Sequence, residues 1–206
     1  MTDQEKKAAK NRILNTAVSL FAVRGYASVG IREIAREADV NISMVSYYFG
    51  GKVGILGEIV ETFWESYHNQ IVKAMEKGCT PEEKVHAITV SMVDYVRDQR
   101  ELAMVAFHTM PLEIPELAEI KRKSLTQIME SVKSLISSLG LDTEDLELFC
   151  VIGPVIMSLI ITHFHLKDFQ AKLFNISFNE KFYERYKKII ATLLLEGIHG
   201  LSKRPL

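Results

Sequence analysis

Apolar residues recur along this chain with the spacing of helices. They return every three or four positions, and no sustained stretch alternates between apolar and polar residues as a half-buried strand would. Glycine, proline and capping residues separate the periodic stretches. The pattern therefore predicts an all-α chain of about nine helices.

The first three predicted helices form a small N-terminal group. Helix 1 is predicted over residues 4–24, and Gly25 ends it because glycine accepts the left-handed conformation that follows many helices. A short second helix is predicted over residues 31–38 and a third over residues 42–49. The turn between them has room for only three or four residues, so the two helices must cross closely.

A long fourth helix is predicted to connect this head to the rest of the chain. No flexible linker or internal repeat interrupts the sequence there. Two capping boxes mark later helix starts, Thr80-Pro81-Glu82-Glu83 and Ser177-Phe178-Asn179-Glu180. The predicted body helices run from after Gly51 to about residue 77, 81–99, 101–109, from after Pro115 to near Gly140, from Asp142 onward, and from 179 to 197 or 200.

Residues 31–50 have the spacing of a helix-turn-helix. Ala35 is a small residue where the two helices would cross, and Ile34, Ala38, Val40 and Val45 supply buried positions. Asp39 occupies the sharp turn, where φ is positive and glycine is commonest, and aspartate tolerates that conformation better than most residues. On spacing alone, an ordinary pair of antiparallel helices remains an alternative interpretation.

Composition and charge place the chain among soluble globular proteins. Hydrophobic residues make up 48% and charged residues 25% of 206 residues, without an apolar run long enough for a membrane span. Residues 1–52 carry eight Lys and Arg against five Asp and Glu, whereas the remainder carries 17 against 21. We expect a cytoplasmic protein with no membrane partner and a mildly basic head, which suits DNA binding.

The head resembles the TetR family of bacterial regulators. The combination of Phe-x-x-x-Gly-Tyr, Ile-Ala and Tyr-x-Phe followed by a lysine is specific for that family. The matching residues are Arg12-Ile13-Leu14, Ala17, Leu20-Phe21, Gly25-Tyr26, Ile34-Ala35, Ala38, Val40, Tyr47-Tyr48-Phe49-Gly50-Gly51-Lys52 and Ile55-Leu56. The resemblance implies a helix-turn-helix head over residues 1–52, within a family-type domain of about residues 8–68. It also implies a helical ligand-binding and dimerisation body over residues 53–206.

Three positions depart from the family pattern. Gly30 lies where the family usually has Thr or Ser at the start of the second helix, so an expected phosphate contact is missing. Asp39 replaces the usual turn glycine, and Ser46 lies where many members have an aromatic residue. These departures affect the details of DNA contact.

The third helix of a helix-turn-helix enters the major groove by its N-terminal end, which predicts the DNA-contacting residues. Asn41 is either a base reader or the N-cap of the helix, and Arg32 either reads guanine or is a solvated surface charge. Lys52 is predicted to anchor a phosphate at the start of the fourth helix. The predicted DNA-contacting residues are Arg32, Asn41, Ile42, Ser43, Met44, Ser46, Tyr47, Tyr48 and Lys52.

The eighth and ninth predicted helices carry apolar stripes that are either internal core or a dimer surface. The family resemblance implies that these two helices pack against their copies in a homodimer. Two copies would then read a palindromic operator in double-stranded DNA. The predicted dimer residues are Leu146, Cys150, Gly153, Ile160, Ile161, Phe164, Tyr186, Ile189, Leu193 and Ile198.

The body is rich in large apolar side chains that either fill a core or line a ligand pocket. That the body binds a small-molecule inducer is implied by the resemblance. The predicted pocket residues are Trp64, Tyr67, Met92, Tyr95, Met104, Phe107, His108, Ile128, Met129, Phe149 and Met157.

These features favour a ligand-responsive transcription repressor. A same-fold activator or architectural DNA binder without an inducer is the alternative. No hydrolase, metalloprotease or phosphate-loop motif is present in the sequence, so we expect no catalytic residue and no cofactor. His163 and His165 are two positions apart on a helix and point to different faces, so we expect no metal site.

Overall fold

The computed structural model describes residues 2–109 and 111–203 of the chain. Every regular element in these ranges is helical, which confirms the predicted all-α fold. The elements are α1 Asp3–Arg24, α2 Ile31–Glu37, α3 Ile42–Phe49, α4 Lys52–Met75, α5 Pro81–Asp98, α6 Arg100–Met104, a π-helical turn Val105–Thr109, α7 Pro115–Ser138, α8 Leu146–Phe174 and α9 Glu180–Ser202.

The chain forms two compact units. The first comprises Met1–Ser66 and Gln99–Leu125, and the second comprises Tyr67–Asp98 and Thr126–Leu206. The division falls inside α4, which belongs to both units. The predicted boundary at residue 52 concerns function, whereas these units are defined by packing, so that boundary stays a prediction.

The first unit is built around α1. Thr2 and Glu5 form a capping box at its N-terminus, and Gly25 ends it with a φ of 75°, as predicted. Its apolar face, including Ile13 and Phe21, is fully buried. On its other side α1 packs against α6 and the π-helical turn.

A ring cluster and an exposed hydrogen bond also hold the first unit together. The Ser19 hydroxyl lies 2.8 Å from a carboxylate oxygen of Glu101 and so links α1 to α6. Phe107, in the π-helical turn, has its ring centroid 5.3 Å from that of Phe63 and 5.0 Å from that of Trp64, both on α4. The segment after Gln99 is therefore part of the same core as the head.

The second unit is organised by the packing of α5 against α9. A charged pair crosses this contact: the buried Lys187 ammonium lies 3.3 Å from both carboxylate oxygens of Asp94 and 2.6 Å from Glu184. Nearby, Arg97 donates to Glu180 at 3.1 Å. A buried lysine needs such partners because desolvation disfavours its charge.

Helix starts agree with the predictions at α5 and α9 but not at α8, and the cap residue of α9 differs from the predicted one. The Thr80–Glu83 capping box of α5 is present, with both reciprocal hydrogen bonds. However, α8 begins after Asp145, whose carboxylate accepts from the Leu148 amide, and not at Asp142. Likewise Asn179, and not Ser177, caps α9. In both places an Asp or Asn nearer to the apolar periodic stretch competes successfully for the N-cap position.

Candidate DNA-binding surface and apolar groove

The recognition helix α3 has a buried back and an exposed front. Val45 and Phe49 anchor it in the core of the first unit, as the apolar spacing predicted. Tyr47 is 76% exposed, and its ring packs edge-on against that of the half-buried Tyr48 at 5.0 Å. Two adjacent ring positions on a helix cannot both face inward, and here Tyr47 is the ring that faces outward.

Asn41 is the N-cap of α3. Its side-chain oxygen accepts hydrogen bonds from the Ser43 amide at 2.9 Å and from the Ser43 hydroxyl at 2.8 Å. Of the two interpretations offered by the sequence, the geometry therefore supports the capping role.

The remaining predicted contact residues of α2 and α3 lie on the surface or partly so. Arg32, Ile42, Ser43 and Ser46 are exposed and Met44 is half-buried. They share the exposed side of the two helices, which is the arrangement that groove binding requires. Their DNA contacts stay a prediction.

Lys52 is turned toward the loop that precedes α2. Its ammonium lies 4.1 Å from the ring centroid of Tyr26 and donates to the Ala27 carbonyl at 3.4 Å. Partial burial lowers its pKa below the ordinary value of lysine. To bind a phosphate, as predicted, the Lys52 ammonium must therefore contact the phosphate while it keeps these partners, or it must move away from them.

The predicted dimer residues divide into three groups in the structure, buried, exposed and half-buried. Ile160, Ile161 and Phe164 are buried in the core of the second unit, so their stripe position reflects internal packing. Leu146, Cys150, Ile189 and Leu193 are exposed, and Gly153, Tyr186 and Ile198 are half-buried. Only these last two sets are available to a partner.

The exposed side of α8 is more apolar than the sequence stripe indicated. Val151 and Val155, and about three to four turns further along Phe169 and Leu173, lie on one side of α8 and are all at least half exposed. Among the helices that the structure describes, α8 is long and apolar enough to cross a membrane by length and composition, with 17% of its most apolar stretch buried. A helix with these properties also suits packing against another chain.

A groove of about 690 Å³ lies between α8, the segment after it and the start of α9. Its polar groups are Ser158, Thr162, His163 and Gln170, and its wall is otherwise apolar. The lining residues are Pro154, Val155, Ser158, Leu159, Thr162, His163, Gln170, Phe174, Ile176, Phe178, Phe182 and Tyr186.

Aromatic rings surround His163 at the base of this groove. The ring centroid of His163 lies 4.8 Å from that of Tyr186 and 4.9 Å from that of Phe178. The Tyr186 hydroxyl donates to the Leu159 carbonyl at 2.7 Å, and burial beside Tyr183 raises the pKa of Tyr186. Of these residues, only Tyr186 is among the predicted dimer residues. The density of aromatic residues between positions 163 and 186 is the sequence signal that could have identified the others.

None of the predicted pocket residues lines this groove. In the first unit, Trp64 is buried and Met104 and Phe107 are half-buried. In the second unit, Tyr67 and Met92 are buried, Tyr95, Ile128, Phe149 and Met157 are half-buried, and Met129 is exposed. The side chain of His108 lies outside the described residues.

Tyr67 connects several of the predicted pocket residues within the second unit. Its hydroxyl lies 3.4 Å from the sulfur of Met157, and its ring is 6.2 Å from that of Tyr95. Burial, together with the neighbouring Tyr95, raises the pKa of Tyr67. Across residues 2–109 and 111–203, no three His, Cys, Asp or Glu side chains are grouped to hold a metal ion.

Comparison with known proteins gives a family match in the head. Residues 13–59 match the model described as "Bacterial regulatory proteins, tetR family". The probable HTH-type transcriptional regulator YttP of Bacillus subtilis is 30% identical over 117 residues, which cover 56% of each chain. The HTH-type transcriptional regulator HbdR of an Aromatoleum species is 33% identical over 97 residues, covering 46% of this chain and 42% of the relative. The chain thus spans about half the length of these relatives.

Solved structures share the fold over nearly the whole chain. The fatty acid degradation regulator FadR of Bacillus halodurans superposes with a TM-score of 0.73 at 19% identity, covering 92% of this chain and 95% of that one. FadR of Bacillus subtilis in complex with stearoyl-CoA gives a TM-score of 0.71 at 18% identity, covering 91% and 98%. Residues 13–59 therefore match the helix-turn-helix head of the TetR family, and the chain as a whole shares the fold of these solved regulators.

Proposed function

We propose that this chain is a sequence-specific DNA-binding transcription regulator that acts as a homodimeric repressor. The observation that carries the proposal is the geometry of α3, which is anchored by Val45 and Phe49 and presents Tyr47 and its neighbours to solvent. A short helix held in this way can enter the major groove without disturbing the core.

Two copies are needed because one helix-turn-helix covers only a few base pairs. A dimer places two recognition helices about 34 Å apart on a palindromic operator, which multiplies the contacts and hence the specificity. The exposed apolar side chains of α8 and α9, such as Phe169 and Leu193, support a partner at that face.

A small apolar or amphipathic molecule is the proposed inducer. One fold neighbour was solved in complex with stearoyl-CoA, and the second unit of this chain combines buried aromatic residues with a few polar groups such as the Tyr67 hydroxyl. A ligand that binds the DNA-incompatible state better than the DNA-compatible state would shift the population and release the operator.

The test begins with selection of duplexes from a random-sequence DNA library by the full-length protein. We expect enrichment of a palindrome, and we expect Tyr47→Ala to abolish the enrichment while the variant remains folded. Arg36→Met, an exposed position on α2 outside the predicted contact set, is the matched control. Enrichment of no sequence would refute specific DNA recognition and favour an architectural binder.

The inducer is tested on the selected duplex. Stearoyl-CoA is added to the preformed complex, with free CoA and stearate as separate controls, and release is followed by fluorescence anisotropy. Release of the DNA by stearoyl-CoA or by stearate, but not by free CoA, supports an acyl ligand. Retention of DNA in every arm would overturn the proposed acyl class.

A further inference from the structure

The turn between α2 and α3 contains a strained residue that is not glycine. Asp39 has a φ of 52°, in the left-handed region. For an L-amino acid this conformation disfavours the turn by roughly tenfold relative to glycine. The direction in which α3 leaves α2 depends on the backbone angles of this turn. The Val40 amide donates to the Ala35 carbonyl at 3.0 Å and holds part of the turn, and a side chain that also fixed the carbonyls beside Asp39 would offset the cost of its positive φ.

Arg12 reaches this turn from α1. Its Nε donates to the Ala38 carbonyl at 3.1 Å, and its Nη2 donates to the Asp39 carbonyl at 3.4 Å. Ala38 is the C-cap of α2, where the helix dipole is negative and a cation is favourable. Both bonds therefore fix carbonyls immediately beside the strained φ.

The other end of this connection is rigid. Arg12 precedes Ile13 on α1, and Ile13 and Ala17 are fully buried. Arg12 itself lies at the surface, so replacing it leaves the core intact. A guanidinium suits this task because its planar fork presents two donors at once and stays charged at every physiological pH.

We propose that Arg12 is a positioning residue for DNA recognition. It holds the α2–α3 turn in the left-handed conformation that Asp39 alone would adopt poorly, and so sets the angle at which α3 meets the major groove. This inference rests on the proposed function, because it assigns how specificity is maintained at that same surface.

The experiment is a double-mutant cycle on the full-length protein. Arg12→Met removes the donors, Asp39→Gly removes the strain, and the double variant combines them. Arg36→Met removes a positive charge from the same head and serves as the control. Each variant is measured for affinity to the duplex selected by the wild type and to a scrambled duplex of equal composition. Thermal unfolding and amide hydrogen exchange at Asp39 and Val40 complete the set.

We expect Arg12→Met to reduce the ratio of selected to scrambled affinity by about tenfold, while Arg36→Met leaves it unchanged. The double variant should recover the ratio of Asp39→Gly alone to within about threefold, since glycine adopts the turn without help. The Asp39 and Val40 amides should exchange faster in Arg12→Met and slow again in the double variant.

Additive losses in the cycle would overturn the proposal, as would an equal loss on both duplexes, which is the signature of a simple phosphate contact. If Arg12→Met does not fold, Arg12→Lys replaces it, because lysine keeps the positive charge but has one nitrogen in place of the guanidinium fork. The same results are then expected for Arg12→Lys, and the same results would overturn the proposal. If the wild type selects no duplex, the proposed function fails. The exchange rates still decide whether Arg12 holds the turn, and unchanged rates refute that role.

Discussion

Leu193 offers a quantitative test of the proposed dimer face. It lies on α9 and remains 54% exposed in the single chain. Fully burying a leucine gives about 1.5–3 kcal/mol, so burying the exposed half in a dimer gives about 1–1.5 kcal/mol. Because a twofold interface contains the residue twice, Leu193→Ala should cost about 2–3 kcal/mol of dimer stability.

That loss corresponds to a dimer dissociation constant about 30 to 150 times larger. Sedimentation velocity over a range of protein concentrations measures it directly. Val23→Ala is the matched control, because Val23 is 79% exposed on α1, a helix that carries no residue of the proposed face. Thermal unfolding checks that both variants keep their fold.

We expect a larger dimer dissociation constant for Leu193→Ala and an unchanged one for Val23→Ala. DNA affinity of Leu193→Ala should fall at low protein concentration and recover at high concentration, because mass action restores the dimer. An unchanged dissociation constant for Leu193→Ala would refute our placement of the dimer face, and so would an equal effect of both substitutions.

Three further predictions test individual residues. Asn41→Ala should lose about 1 kcal/mol of stability in thermal unfolding, because the N-cap of α3 is removed. Asn41→Ser, which keeps a capping side chain, should keep both stability and DNA selectivity. A stable Asn41→Ser variant that lost DNA selectivity would instead support the base-reading role of Asn41. Lys52→Ala should weaken binding to all duplexes and reduce the slope of log affinity against log salt concentration by about one. Arg32→Ala should cost about 1–3 kcal/mol of binding free energy at particular base pairs. Losses that do not depend on DNA sequence for both variants would contradict the assignment of Lys52 to phosphate and Arg32 to bases. Hydrogen bonds from the Cys79 and Thr80 amides lower the pKa of Glu83 in the folded protein. The ionised carboxylate therefore stabilises the fold above the ordinary glutamate pKa of about 4.3, and this stabilisation is lost as pH falls through the lower pKa of the folded state. The stability advantage of wild type over Glu83→Gln should therefore be present at pH 7 and decrease as pH falls below about 4.3, and a difference independent of pH would exclude the carboxylate as its source.

The fold was predictable from the sequence because helices are local. The α3 range of residues 42–49 and the Gly25 stop came from periodicity and capping chemistry, which depend on near neighbours in the chain. The positive φ at Asp39 was also expected, since the sharp turn required it. The start of α8 was misplaced by a few residues, and the cap of α9 was assigned to Ser177 instead of Asn179, because several Asp, Ser and Asn side chains competed for each cap.

Side-chain environments were harder to predict because an apolar stripe does not say which face of a helix is covered. Ile160 and Phe164 share a stripe with Leu146, yet the first two are buried within the chain and the last is exposed. Arg12 was recognised only as part of a family pattern, since its carbonyl partners are 26 and 27 positions away in sequence. Tertiary contacts of this kind leave no periodic signal.

The α8 helix is apolar by composition, but its sequence does not say which of its sides is covered. A helix that is apolar on nearly all sides is expected in a membrane or in the centre of a large core. In this chain one side of α8 carries Ile160 and Phe164 into the core, while the opposite side leaves Val155 and Phe169 in water. Leaving apolar side chains exposed is unfavourable, and their area would be removed from water if the same side of a second copy met them across a twofold axis. The exposed apolar side of α8 is therefore the surface that the proposed dimer would bury.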